Sequence, residues 1–159
     1  MGDISEHFSR KDFLCRCKFC KESFKISLTL VGVLEELRTH FRNRVNVVNG
    51  YRCPELNEEI GSIRKSYHVR GQAADITVNN VSSEEVFLFC ETLPQVNGLG
   101  LYPLKKFVHI DVRDEEKAQK WIYLNDYEEL TNELREKYKL VASQEQDKQD
   151  KKDKKQSEG

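Results

Sequence analysis

The chain has 159 residues with 26 basic and 27 acidic side chains, 38% of residues apolar and 33% charged, for a formal charge of −1. That balance leaves no basic footprint for nucleic acid or an anionic lipid surface, and no stretch approaches the roughly 18 apolar residues that cross a bilayer. The N-terminal region also lacks the apolar core of a secretory signal, so we expect a chain that is cytoplasmic as synthesised, with no nucleic-acid partner and no membrane insertion.

In chain order, the first unusual feature is Cys15, Cys17 and Cys20 in a Cys-x-Cys-x-x-Cys pattern. With Cys53 they either complete a second, structural metal site or remain reduced thiols, and a total of 5 cysteines leaves at least one outside any disulfide scheme. Ser27 caps a predicted amphipathic helix on which Leu30, Val33, Leu34, Leu37 and Phe41 recur at helical spacing. The β-branched run Val45 to Asn49 predicts a strand that stops at Asn49-Gly50 and delivers Tyr51 and Arg52 into a turn. Pro54 opens a short helix that Gly61 ends. The next strand alternates, with Ala73, Asp75 and Thr77 on one face and Ala74, Ile76 and Val78 on the other.

Ser82 and Glu85 predict a capping box for a helix with Val86, Phe89 and Leu93 inward and Cys90 as an inert core thiol. NGLGLYP reads as a glycine-punctuated loop. In FVHIDVR, Val108, Ile110 and Val112 face the core while Phe107, His109, Asp111 and Arg113 face away. A last helix over DYEELTNELREKYKL puts Tyr127, Leu130, Leu134 and Tyr138 on one side. From Ser143 onward no apolar side chain remains, and such a segment cannot offset its ordering entropy. The expectation is one α+β domain over residues 1–142, a small antiparallel sheet flanked by helices, followed by a disordered charged tail over 143–159. No heptad repeat predicts a coiled-coil dimer, so a monomer is expected.

Two polar clusters occupy places where a sheet core prefers apolar residues: the run from Ser66 to Asp75, and His109 with Asp111. Two imidazoles and a carboxylate, His68, His109 and Asp75, are the ligand types of a catalytic zinc ion, which takes three protein groups and keeps a fourth position for water. Spacing alone leaves a second reading open, a buried hydrogen-bonded network of the same residues. The absence of a nucleophile-elbow or phosphate-loop motif agrees with chemistry that uses no nucleophilic side chain.

The words around these residues are more specific. Ser66 to Asp75 spell Ser-x-His-x-x-Gly-x-Ala-x-Asp, NGLGLYPLKKFVHIDVR supplies a second histidine on a strand, and NGYRCPELN lies upstream. Together they resemble the zinc D-Ala-D-Ala carboxypeptidase family, whose fold is shared with VanX-type dipeptidases and the hedgehog signalling domain. The resemblance spans about residues 5–124. It implies one catalytic Zn²⁺ held by His68, Asp75 and His109, and hydrolysis of peptide bonds in peptidoglycan stem peptides or cross-links through a metal-activated water. It also implies that Arg52 faces a substrate carboxylate or the oxyanion, that Ser66 binds substrate or braces the site, and that Gly71 and Ala73 let the backbone pass close to the metal. Tyr102 either lines the cleft or simply packs.

One departure bears on the chemistry. Many members carry an acidic general base three residues before the last histidine ligand, and that position here is Lys106. Asp111 is the candidate replacement, either as the base or as the carboxylate that orients a ligand histidine. A similar Phe-Val-His-x-Asp ends the strand in the YcbK-like murein endopeptidase branch, which this chain resembles most. The alternative is a catalytically inactive module of the same fold that binds peptidoglycan or protein. A wall substrate implies action in the cell wall or periplasm, after release or export.

Overall fold

The computed structural model describes residues 2–17, 20, 24–61 and 66–140; the expected tail over 143–159 lies outside them. A 3-10 turn at Arg10–Asp12 precedes helix α1 (Leu28–Phe41), strand β1 (Val45–Asn49), helix α2 (Pro54–Glu59), strand β2 (Ala73–Val78) and helix α3 (Ser83–Glu91). Strands β3 (Gly98–Tyr102), β4 (Phe107–Asp111), β5 (Gln119–Tyr123) and β6 (Tyr127–Glu129) follow, then helix α4 (Asn132–Lys137). Helix starts are set by side chains that accept otherwise orphaned amide protons. Ser27 Oγ accepts from Leu30 N–H at 3.4 Å, Ser82 Oγ from Glu85 N–H at 3.2 Å and Thr131 Oγ1 from Leu134 N–H at 3.3 Å.

The strands form one sheet in the order β1-β2-β4-β3-β5-β6, antiparallel except for the parallel pair β3/β5. Period-two alternation sorts the side chains onto two faces. Ile76, Val108, Ile110, Leu99, Leu101 and Ile122 join one core with Leu30, Leu34 and Leu37 of α1 and Phe87 and Cys90 of α3. The other face carries Asp75, His109, Asp111 and Trp121. Helices α1 and α3 thus cover one side of the sheet and leave the polar cluster on the opposite side.

Three expectations need correction. NGLGLYP is not a loop, since its first five residues after Asn97 are the fully buried strand β3 in the middle of the sheet. The last predicted helix is divided: Tyr127–Glu129 is strand β6 paired to β5, and helix starts only after the Thr131 cap. Val86 and, just past α3, Leu93 are in the core as expected, but Phe87 and Cys90 complete the inward face, whereas Phe89 is half-buried and stacks on His40 with ring centroids 3.8 Å apart.

Candidate metal centre

Register across the sheet assembles the centre. A β-bulge between Val47 and Asn49 sets Asn49 of β1 opposite Asp75 of β2, which pairs with His109 of β4, which pairs with Gly100 of β3, which pairs with Trp121 of β5. In the next row Ala73 faces Asp111 and Asp111 faces Gly98. The two glycines are required by their neighbours: a Cβ on Gly98 would collide with the Asp111 carboxylate, and one on Gly100 with the Trp121 indole. Trp121 therefore lies over Gly100 and reaches His109, at 5.2 Å between ring centroids.

His68 comes from the turn before β2 and is 5% exposed, Asp75 6% and His109 8%. The His68 Nδ1–H donates to the Gly50 carbonyl at 2.9 Å, which leaves Nε2 facing Asp75 Oδ1 at 3.5 Å. His109 Nδ1 lies 2.9 Å from the same Asp75 Oδ1, and its Nε2 lies 2.8 Å from Asp111 Oδ2. Asn49 Nδ2 donates to Asp75 Oδ2 at 3.0 Å, holding Oδ1 toward the two histidines. One ligand atom from each of His68, Asp75 and His109 falls within 4.8 Å of the others. A tetrahedral zinc with bonds of about 2.0–2.1 Å holds its ligand atoms roughly 3.4 Å apart, so the set is pre-assembled for such an ion.

The electrostatics point the same way. Burial opposes the Asp75 charge, yet hydrogen bonds from His109 and His68 hold its carboxyl far below the usual carboxylate range. Burial likewise opposes charge on His109, but the bonds to Asp111 and Asp75 outweigh it and push the imidazole up to about 9. Two carboxylates thus flank the His109 ring, and both favour positive charge at this point. Two imidazole nitrogens and one carboxylate oxygen, each oriented by a further hydrogen bond, fit a divalent ion of the zinc type.

Asp111 is 0% exposed. Arg113 grips it through Nε at 2.7 Å to Oδ1 and NH2 at 2.7 Å to Oδ2, and the guanidinium carbon sits 4.2 Å above the Tyr67 ring centroid. Burial works against its charge, but Arg113 and His109 hold its pKa at about 2. Its carboxylate meets the opposite ring nitrogen of His109 from Asp75. Lys106 is exposed in the β3–β4 turn with φ 58°.

A cavity of about 930 Å³ opens over the centre, lined by Arg52, Ser66, His68, Asp75, Tyr102 and His109 among others. Arg52 NH1 donates to Asn57 Oδ1 at 3.1 Å. Ser66 is buried at the wall, and Tyr102, also buried, stacks between Phe107 at 4.6 Å and Tyr123 at 5.1 Å while its hydroxyl accepts from Trp121 Nε1. Gly71 has a φ of +70°, and the Lys25 carbonyl sits where a Cβ would be, so the backbone crosses the segment before α1 there. Cys15, Cys17, Cys20 and Cys53 lie within 4.8 Å of one another in sulfur position. Sequence reasoning missed Asn49, Arg113 and the aromatic wall of Trp121, Tyr123 and Tyr127. Arg113 had a visible signal, the alternating His-x-Asp-x-Arg; the others depend on strands β5 and β6, which had not been expected, and on the bulge.

A sequence profile described as Peptidase M15 matches residues 6–111. The chain belongs to the Peptidase M15 family. Peptidoglycan L,D-endopeptidase MepK of Escherichia coli (strain K12) is 33% identical over 75 residues, 44% of this chain and 41% of that protein. The probable peptidoglycan L,D-endopeptidase MepK of Haemophilus influenzae (strain ATCC 51907 / DSM 11121 / KW20 / Rd) is 29% identical over 108 residues, 63% of this chain and 58% of its own. The chain thus spans about half the length of these curated relatives. As a Peptidase M15 member with MepK relatives, it bears out the family and the YcbK-like branch named from the motifs. The mixed sheet with helices on one face fits the expected α+β fold of that family.

Proposed function

We propose that this chain is a zinc-dependent peptidase that hydrolyses peptide bonds in peptidoglycan stem peptides or their cross-links, acting in the cell wall or periplasm. The observation that carries the reading is the convergence of His68 Nε2, Asp75 Oδ1 and His109 Nδ1 at the floor of the cavity. The metal, when bound to these three atoms, supplies a Lewis acid and lowers the pKa of a water ligand toward about 7. The remaining work falls to side chains. Arg52 and Lys105 put two cations on the cavity wall, suited to the free carboxylates of a stem peptide. Arg52 also stabilises the negative charge that develops on the scissile carbonyl oxygen, and Tyr102 and Ser66 flank the bound peptide.

Asp111 orients His109 in this reading and is not the general base. Its burial, its bidentate pairing with Arg113 and its absence from the cavity wall support that assignment. Among the described residues, Asp75 is the one carboxylate on that wall, and Lys106 is not part of it.

Digestion of purified muropeptides of defined structure, with products separated and weighed, tests the reading and identifies the bond. Cleavage at a cross-link or at a terminal D-configured residue is expected. Replacing Arg52 by Ala should reduce kcat/KM by about 10²–10³, the usual effect of removing an oxyanion donor. Binding without any cleavage by the metal-loaded wild type would instead identify an inactive module of the same fold.

A further inference from the structure

The thiol cluster is not used by the chemistry above and lies outside the residues lining the cavity. Cys15, Cys17 and Cys20 come from the N-terminal arm, and Cys53 from the turn between β1 and α2. All four sulfurs are within 4.8 Å of one another. A tetrahedral ion with metal–sulfur bonds of about 2.3 Å needs sulfurs roughly 3.8 Å apart, so the span suits one ion. The contacts do not divide into two pairs: Cys17 Sγ lies 3.0 Å from Cys20 Sγ and 3.4 Å from Cys53 Sγ. Two disulfides need no such four-way convergence.

Backbone amides also point at the sulfurs. Cys53 N–H donates to Cys15 Sγ at 3.3 Å, Cys20 N–H to Cys17 Sγ at 3.2 Å and Leu56 N–H to Cys53 Sγ at 3.5 Å. Such donors spread the negative charge of metal-bound thiolates. We propose that Cys15, Cys17, Cys20 and Cys53 bind a second zinc ion in a closed tetrathiolate site that fastens the N-terminal arm to the turn carrying Arg52. Four protein sulfurs leave no position for water, so the site is structural. Each cysteine releases its thiol proton to solvent as the ion binds. The same turn accepts the His68 imidazole proton at Gly50 O, and Tyr51 N–H donates to Phe13 O at 2.9 Å, so the arm and the catalytic turn already run side by side.

The test is metal analysis of the full chain purified under anaerobic conditions. About two zinc ions per chain are expected, falling to about one in Cys15→Ser/Cys20→Ser and to about one in His68→Ala/His109→Ala. Cobalt substitution of the wild type gives a readout that survives a misfolding variant: the His/Asp site holds no sulfur, so an intense thiolate-to-cobalt charge-transfer band reports the cysteine site alone. That band should persist in His68→Ala/His109→Ala. A wild type with about one zinc and no such band would overturn the proposal. So would two disulfides in the anaerobic protein, seen as fewer than 5 titratable thiols after unfolding in chelator.

Discussion

Asp111 is buried and gripped by Arg113, which holds both carboxylate oxygens, and one of these also meets His109 Nε2. Two outcomes follow. If Asp111 orients His109, Asp111→Asn weakens zinc affinity by about 10–100-fold, measured by competition with a chromophoric chelator; unchanged affinity with lost turnover would make it the base. Arg113→Ala leaves the buried Asp111 carboxylate with His109 as its remaining charged partner, and should lower stability in denaturant titration. The cluster of His68, Asp75 and His109 was legible because the sequence words around these residues are distinctive. Asn49 was not, because a strand-end asparagine acquires its role only when a bulge brings it opposite Asp75.

At the scale of elements, the instructive case is β3. Gly98 and Gly100 look like loop punctuation, yet they sit in a central strand because the Asp111 carboxylate and the Trp121 indole occupy the space above them. Gly100→Ala should displace Trp121 from His109 and cost about 1–3 kcal/mol of stability, visible as a changed indole fluorescence and a lower Tm; a silent substitution would mean the indole has room to spare. The helical spacing of Tyr127, Leu130, Leu134 and Tyr138 similarly concealed β6, since the last three do pack on the core while Tyr127 faces the cavity from a strand. Helices α1 and α3 were legible from their caps and apolar spacing, and α2 from Pro54 at its start and Gly61 beyond its end, all local signals.

Helix α4 is tied back by Glu91 of α3, which accepts from Arg135 at 2.7 and 2.9 Å and from Lys120 of β5 at 2.8 Å. Burial opposes its charge, but Arg135 and Lys120 lower its pKa below the ordinary value of 4.5. A carboxyl depressed in the folded state contributes stability above its unfolded pKa and loses it as pH falls through the folded value. Acidification below about 4.5 should therefore loosen α4, and Glu91→Gln should flatten that part of the stability profile. Identical pH profiles for both proteins would refute the tie.

Over the whole molecule, the sheet divides labour between a helix-covered apolar face and a face that bears the His/Asp cluster, cations and aromatic rings. The family match ends at residue 111, yet Trp121, Tyr123 and Tyr127 beyond it line the cavity. No helix among the described residues is long and apolar enough to cross a membrane. The central claim is that hydrolysis depends on a metal held by His68, Asp75 and His109. The most direct measurement is release of soluble fragments from purified peptidoglycan by metal-stripped protein as zinc is returned. The account predicts no release before addition, recovery as zinc is restored, and none at any zinc level for His109→Ala. Release that persists after stripping, or that His109→Ala recovers with zinc, would contradict it.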